Sequence, residues 1–401
     1  MSLSNCVIVD STLREGEQFE HSHFSLADKI EIACALDAFG VDMIEITSPA
    51  VGSAAREACE VLTSLGLNAT IAAHIRCHMD DARLALDCGV RALNLFMAAS
   101  PILRSMSHGR GVEEIVRQAT EVARYIRSRA PDAIIRFSCE DAFRSPLADL
   151  LSIYEPLART GLFQRFGIAD TVGGASPLQV MNTVRTVRDT LGPDIDIEFH
   201  GHNDTGCATA NAWMAVLGGA THIDTCVLGL GERNGITRLE ELVAAIYSQD
   251  TEAAKARFDL PMLMPLSEMV AQRAGVEIPF CRSIIGASAF THKAGVHSKA
   301  IIANPKSYEI LDPADFGRER NVMIAHALVG WNAVRARADQ LGYALSQDTL
   351  KAVTAALKEM GAQRRLTNSD VDALIAAAAA GTLPMAACSA NDAVATLRAA
   401  A

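Results

Sequence analysis

Residues 7–20 read VIVDSTLREGEQFE. Val7–Asp10 has the character of a strand end. The ten residues that follow include seven polar or charged ones, with no apolar stripe at a helical or strand period. A buried strand that releases Arg14, Glu15, Glu17 and Gln18 at its C-terminal end has the form of a β/α unit. In such a unit the exit loop faces a site rather than bulk water.

The same unit recurs along the chain. Strands are predicted at Cys6–Asp10, Val41–Thr47, Ala69–Arg76, Ala92–Met97, Ile134–Cys139, Arg165–Asp170, Ile195–His200 and His222–Leu228. Helix signals fall between them. Ser25 with Asp28 makes a capping box before 29–39, and Gly40 can end that helix. Ser176-Pro177-Leu178-Gln179 places a cap, a first-turn proline and a third-position glutamine before a helix to about Leu191. Alternating strands and helices imply parallel strands. Eight repeats in about 240 residues fit an α/β (β/α)8 TIM barrel better than an open sheet.

The pattern changes beyond about Ser248. We divide the chain into a barrel over 1–250, a linker and irregular subdomain over 251–330, and a helical region over 331–401. The linker is expected near Asp250–Pro261, and Ala376–Ala380 forms an alanine run in the tail.

Bulk composition narrows the function. Half of the 401 residues are hydrophobic, which excludes a disordered chain. No apolar run reaches the roughly 18 residues of a membrane helix, and no secretion signal opens the sequence. The net charge is −11 without a Lys/Arg cluster, so no nucleic-acid partner is expected. Ten scattered cysteines, with no C-x-x-C pair, read as buried thiols of a cytoplasmic protein.

Barrel enzymes build their sites at the C-terminal ends of strands. Every predicted strand here delivers a polar group to that end. The groups include Asp10, Arg14 and Glu15; Glu45; His74 and Arg76; and Asn94. Later strands add Arg136, Ser138 and Glu140, which alternate and so share a face; Asp170 and Thr171; and the run from His200 to Asp204. His200 and His202, two apart on a strand, point the same way. Two neutral imidazoles and a carboxylate suit a catalytic divalent metal, with Asp204 expected to orient a histidine. Gly229-Leu230-Gly231-Glu232 lacks the dinucleotide-binding spacing and reads either as a plain tight turn or as a turn that lets backbone approach a long ligand.

DSTLREGEQF, HIRCHMDDA, RFSCEDAFRS, GIADTVG, EFHGHNDTGCA and GLGERNGIT together resemble the homocitrate synthases, within the larger group of 2-isopropylmalate, citramalate and homocitrate synthases. FTHKAGVHSKAI, SYEILDP and GWNAVRARADQL extend the likeness to about residue 375. The resemblance implies a Claisen-type condensation of acetyl-CoA with a 2-oxo dicarboxylic acid, most simply 2-oxoglutarate. It implies Glu15, His200 and His202 as ligands of a divalent zinc, manganese or magnesium ion. Arg14, Glu140, His297 and Tyr308 match the catalytic set. Gln18, His74, Asn94, Arg136, Ser138 and Thr171 match the oxo-acid pocket, and Gly229, Gly231 and Glu232 fall where acetyl-CoA is expected. His297 would come from a partner subunit, which implies a homodimer with shared active sites, residues 251–330 serving as its lid and 331–401 as its dimerisation region. Asp10 is expected to orient Arg14 or a metal-bound water.

The chain departs from that resemblance at three places. Asn94 stands where Asp is usual. Ala98-Ala99 replaces Gly-Thr. Arg238, Glu240 and Glu241 replace a Pro and paired glycines. Exchange of Asp for Asn beside a substrate carboxylate leads us to expect either weak inhibition by lysine or a different oxo acid, such as oxaloacetate or phosphonopyruvate. A lyase running the reverse cleavage on a hydroxyacyl-CoA is the remaining alternative.

Overall fold

The computed structural model describes residues 2–293 and 295–382. Eight parallel strands close into a barrel in sequence order. They are β1 Val7–Asp10, β2 Met43–Ile46, β3 Thr70–Arg76, β4 Ala92–Ala98, β5 Ile134–Glu140, β6 Arg165–Asp170, β7 Asp196–Gly201 and β8 His222–Thr225. Pairing of β1 with β8, Val7 opposite His222, seals the barrel.

Local sequence explains the helices. Ser25 and Asp28 form the full capping box of helix Leu26–Phe39, which Gly40 ends at φ 106°. A side chain at Gly40 would strike the Arg257 carbonyl at 2.5 Å, so the glycine serves both conformation and packing. Ser176 accepts from the Gln179 amide at the head of Pro177–Leu191.

Two boundaries differ from expectation. β8 ends at Thr225 rather than Leu228, because residues 227–229 turn tightly and Leu228 adopts φ 61°. The expected linker is helical instead. Asp250 caps Thr251–Arg257, and a short turn leads into helix Leu263–Ala274. Leu263, Leu266 and Val270 of that helix are buried. The first compact unit therefore comprises residues 1–289 with 315–317. The change at Ser248 ends the β/α repeat without ending the packed unit.

The second unit takes residues 290–314 and those from 318 onward. Its helices Trp331–Gln340, Gln347–Gln363 and Asn368–Ala379 bury Val334, Leu350, Val353, Leu357, Val371 and Ile375 together. The expected tail beyond residue 382 lies outside the described residues. No helix among the described residues is long and apolar enough to cross a membrane.

Candidate active site

Strand register arranges the barrel interior in rows. His74, Asn94, Arg136 and Arg165 are successive partners across β3–β6. One step higher, Arg76, Phe96, Ser138, Gly167 and Glu198 form the next row. Residues paired across strands share a face, so these rows bring charged and apolar groups to one interior.

A cavity of about 250 Å³ opens above them. Glu15, His200 and His202 line it, with Arg14 and Gln18 of the first loop. His74, Arg136, Ser138, Glu140, Thr171 and Glu232 complete the polar wall. The alternate residues of β5 do share one face, as their spacing predicts.

Glu15, His200 and His202 place one potential ligand atom each within 4.8 Å of one another, and all three are buried. His200 Nδ1 lies 2.8 Å from Asp224 Oδ2, which leaves Nε2 to face the cluster. His202 Nε2 stands 3.7 Å from Glu15 Oε1, too far for a hydrogen bond, and its buried Nδ1 has no partner. Burial lowers both imidazoles to about 4, helped by Arg14 at His200 and by His200 at His202. Burial pushes the Glu15 carboxyl up, but Arg14 and the two histidines outweigh it and hold it ionised. Two neutral imidazoles and a carboxylate, close but not bonded together, fit a divalent cation. Zinc, manganese and magnesium all remain compatible with this donor set.

Glu45 is the hub beneath the cavity and is fully buried. Its Oε2 accepts from Arg14 Nε at 2.6 Å and lies 2.9 Å from Ser11 Oγ. Its Oε1 accepts from Asn94 Nδ2 at 2.6 Å and lies 3.1 Å from His74 Nδ1 and 3.5 Å from Arg136. Arg14 also pairs with Glu15 and approaches Asp224 at 3.6 Å. Glu198 holds Arg136 at 3.0 Å and Arg165 at 2.8 Å. Burial, reinforced by Glu45, raises Asp224 to about 7. Sequence reasoning noted Glu45 but gave it no role, and it missed Asp224 and Glu198. The available signal was a carboxylate inside an otherwise apolar strand, MIEI or HIDT.

Several expected residues stand elsewhere. Asn94 is fully buried below the cavity wall, between Glu45 and Arg165, with Arg165 donating to its Oδ1 at 3.2 Å. Asp204 pairs with Arg233 at 2.9 Å, and Asp224 is the carboxylate that orients a histidine. Asp10 accepts from the Thr12 amide and Thr225 hydroxyl, so it ties its own loop rather than Arg14. Gly229 and Gly231 are buried and do not line the cavity. A side chain on Gly231 would meet Glu15 Cγ at 2.8 Å, and the neighbouring Glu232 amide donates to Glu15 Oε1 at 3.2 Å. The glycine turn thus approaches Glu15. His297 and Tyr308 belong to the second unit, where their rings pack 4.4 Å apart and both are exposed. Glu309, next to Tyr308, is clamped there by His292 and Arg320.

The departure after the glycine turn has a structural reason. Buried Glu240 accepts from the amide of Leu228, the residue at φ 61°. Arg282 lies 3.6 Å from Glu240 and 3.0 Å from Glu241. Glu241 also takes Arg238 at 3.2 Å and the Thr209 hydroxyl at 2.7 Å.

A closed eight-stranded barrel with a histidine pair and a glutamate at its mouth defines a class of cation-dependent barrel enzymes. Residues 5–270 match the HMGL-like family, and residues 284–365 match the homocitrate synthase post-HMGL domain-like family. The chain is 49% identical over 374 residues to the cytosolic homocitrate synthase isozyme of Saccharomyces cerevisiae, covering 93% of this chain and 86% of that one. It is 50% identical over 376 residues to the mitochondrial homocitrate synthase of Penicillium rubens, covering 94% and 78%. An HMG-CoA lyase of Bacillus subtilis shares the barrel fold, with a TM-score of 0.60 at 22% identity over 69% of this chain and 96% of that one. The chain belongs to the homocitrate synthase family.

Proposed function

We propose that the cavity condenses acetyl-CoA with 2-oxoglutarate to give homocitrate and CoA. The observation that supports this substrate is Arg136. Its guanidinium is buried at the cavity, and Nε and NH1 make no hydrogen bond although Glu198 and Glu45 neutralise its charge. Unused donors beside His74, below a cation cluster, suit an acid with a carboxylate at its far end. Ser138 and Thr171 would add hydroxyl contacts along its length.

A divalent ion bound by Glu15, His200 and His202 supplies Lewis-acid polarisation of the substrate ketone. The chain's own groups do the rest. Glu140 takes a proton from the acetyl methyl group. Burial, then Asp141 and Glu232, raise its carboxyl above the ordinary range, which suits a base that must also release the proton. The methyl carbon forms its bond to the ketone carbon while the carbonyl electron pair moves to oxygen. Arg14, kept charged by Glu45, Glu15 and Asp224 against the effect of burial, faces that oxygen. Water then cleaves the thioester, releasing the CoA thiol and the new carboxylate. His297 and Tyr308, delivered by a partner subunit of a homodimer, complete the proton transfers. We assign the protein to the cytoplasm, where its thiols stay reduced.

The exchange at Asn94 does not alter the cavity wall, so it gives no support to oxaloacetate or phosphonopyruvate. Thiol release measured across 2-oxoglutarate, oxaloacetate, phosphonopyruvate and 2-oxoisovalerate tests the reading. A kcat/KM for 2-oxoglutarate below that of another acid defeats it.

A further inference from the structure

A second cavity of about 270 Å³ lies beside the first. Phe96 and Glu140 line both. The first cavity can enclose a five-carbon acid but not a coenzyme thioester as well. If Glu140 takes the acetyl proton, the remainder of acetyl-CoA must leave the site past Glu140.

The side cavity has the chemistry for that chain. Near Glu140 its wall is apolar, with Phe96, Met97 and Ala98. Farther out, Gln118 Nε2 donates to the Cys77 carbonyl at 2.6 Å, which fixes the side chain and leaves its Oε1 to accept from an amide. The outer wall is cationic, with His78 and Arg110. His108 fixes that edge: its Nε2 meets the Ala98 carbonyl at 3.2 Å, and its Nδ1 accepts from the Arg110 amide at 3.0 Å. Arg110 contacts Glu114 through Nε alone, at 3.4 Å, and that pair is surface-exposed. Its terminal nitrogens can meet a phosphate. Arg76, by contrast, is already paired through two hydrogen bonds of 2.9 Å to Asp81.

We propose that this side cavity is the acetyl-CoA arm, taking the pantetheine chain along Phe96, Met97 and Gln118 and a phosphate at Arg110. The site rests on the condensation proposed above and replaces the glycine turn at Gly229–Glu232, which is occupied with Glu15. A third cavity past Thr47 and Val51 reaches Arg14 and His74 but not Glu140, so a thioester entering there would arrive away from the base.

The test compares acetyl-CoA with S-acetyl-pantetheine, which lacks the phosphates. Arg110→Glu is expected to raise the KM for acetyl-CoA by about tenfold or more, the scale of one charge-assisted phosphate contact. The KM for 2-oxoglutarate and the kcat/KM with S-acetyl-pantetheine should stay within about twofold. Arg110→Ser should show the same ordering with a smaller change. Gln118→Met should weaken both thioesters equally. An unchanged KM for acetyl-CoA in Arg110→Glu overturns the assignment, as does a rise confined to Val51→Trp in the third cavity. Wild-type protein that releases no thiol with any oxo acid defeats the proposed reaction itself. Active wild type with an unaffected Arg110→Glu defeats the side cavity alone.

Discussion

Gly167→Ala tests how the oxo-acid end of the cavity is built. Gly167 faces inward on β6, and an added Cβ would lie 2.6 Å from Arg136 Nε, 2.7 Å from its NH2 and 2.8 Å from Ser138 Oγ. Ordinary contact begins near 3.4 Å, so the guanidinium must retreat by about 0.8 Å. That shift disrupts the 3.0 Å approach to Glu198 and the placement of the free donors. Overpacking of this kind costs about 1–3 kcal/mol of stability. Loss of one or two charge-assisted hydrogen bonds to a substrate carboxylate costs about 3 kcal/mol, or roughly 100-fold in KM for 2-oxoglutarate. Initial rates of thiol release, with each substrate varied in turn, supply the numbers. The KM for acetyl-CoA should stay near the wild-type value. Activity on 2-oxobutyrate, which has no distal carboxylate, should fall far less than activity on 2-oxoglutarate. A KM for 2-oxoglutarate within about threefold of wild type refutes the role of Arg136, and so does an equal loss on both acids.

Other perturbations read other parts of the site. Glu232→Gln removes one of the charges that raise Glu140, after burial and Asp141, so the acid limb of kcat/KM should move to lower pH; a limb that stays put argues against Glu140 as the base. A divalent ion added at about 100 times its Kd should stabilise the metal-stripped protein by about 2.7 kcal/mol, seen as a higher Tm, and His202→Ala should lose that response. Glu45→Gln strands Arg14 and Asn94 at a buried hub and should cost about 3–5 kcal/mol in denaturant unfolding, with a value under 1 kcal/mol contradicting the network. Asn94→Asp sets a carboxylate against Glu45 Oε1, where the amide now donates at 2.6 Å. Like charge raises the pKa of the new acid, so the variant binds a proton more tightly folded than unfolded. Its stability relative to the parent should therefore fall as pH rises from the ordinary carboxylate range, and chemical denaturation at pH 5 and 8 measures the difference.

The barrel was readable because its signal repeats. Apolar strands, caps such as Ser25 and Ser176, and polar strand ends recur with the period of the β/α unit. The cavity was readable for the same reason: Glu15, His200 and Arg136 stand at strand ends, where the fold must present them. What the sequence hid is depth. Asn94 and Arg136 are register partners, yet one side chain lies beneath the wall and the other reaches it. That distinction depends on Glu45 and Gly167, on other strands. Asp204 looked like the histidine's partner because it is close in sequence. The partner Asp224 is 24 residues from His200 and becomes its neighbour only through β8. Likewise the glycine turn looked like a ligand loop, when its close approach is to Glu15.

The Arg238, Glu240, Glu241 and Arg282 cluster carries a consequence for inheritance. Arg282 is far along the chain from the other three, yet Glu240 is buried against it. Reverting Arg282 alone would leave Glu240 facing Leu228 with a charge and no counterion. Reverting Glu240 alone would leave the amide of a left-handed leucine unbonded. Each single step passes through a less stable intermediate, so the four positions can be gained or lost smoothly only as one linkage group. A graft of this barrel onto a relative's second unit succeeds most easily when the cut falls after Arg282, with all four residues on the same side.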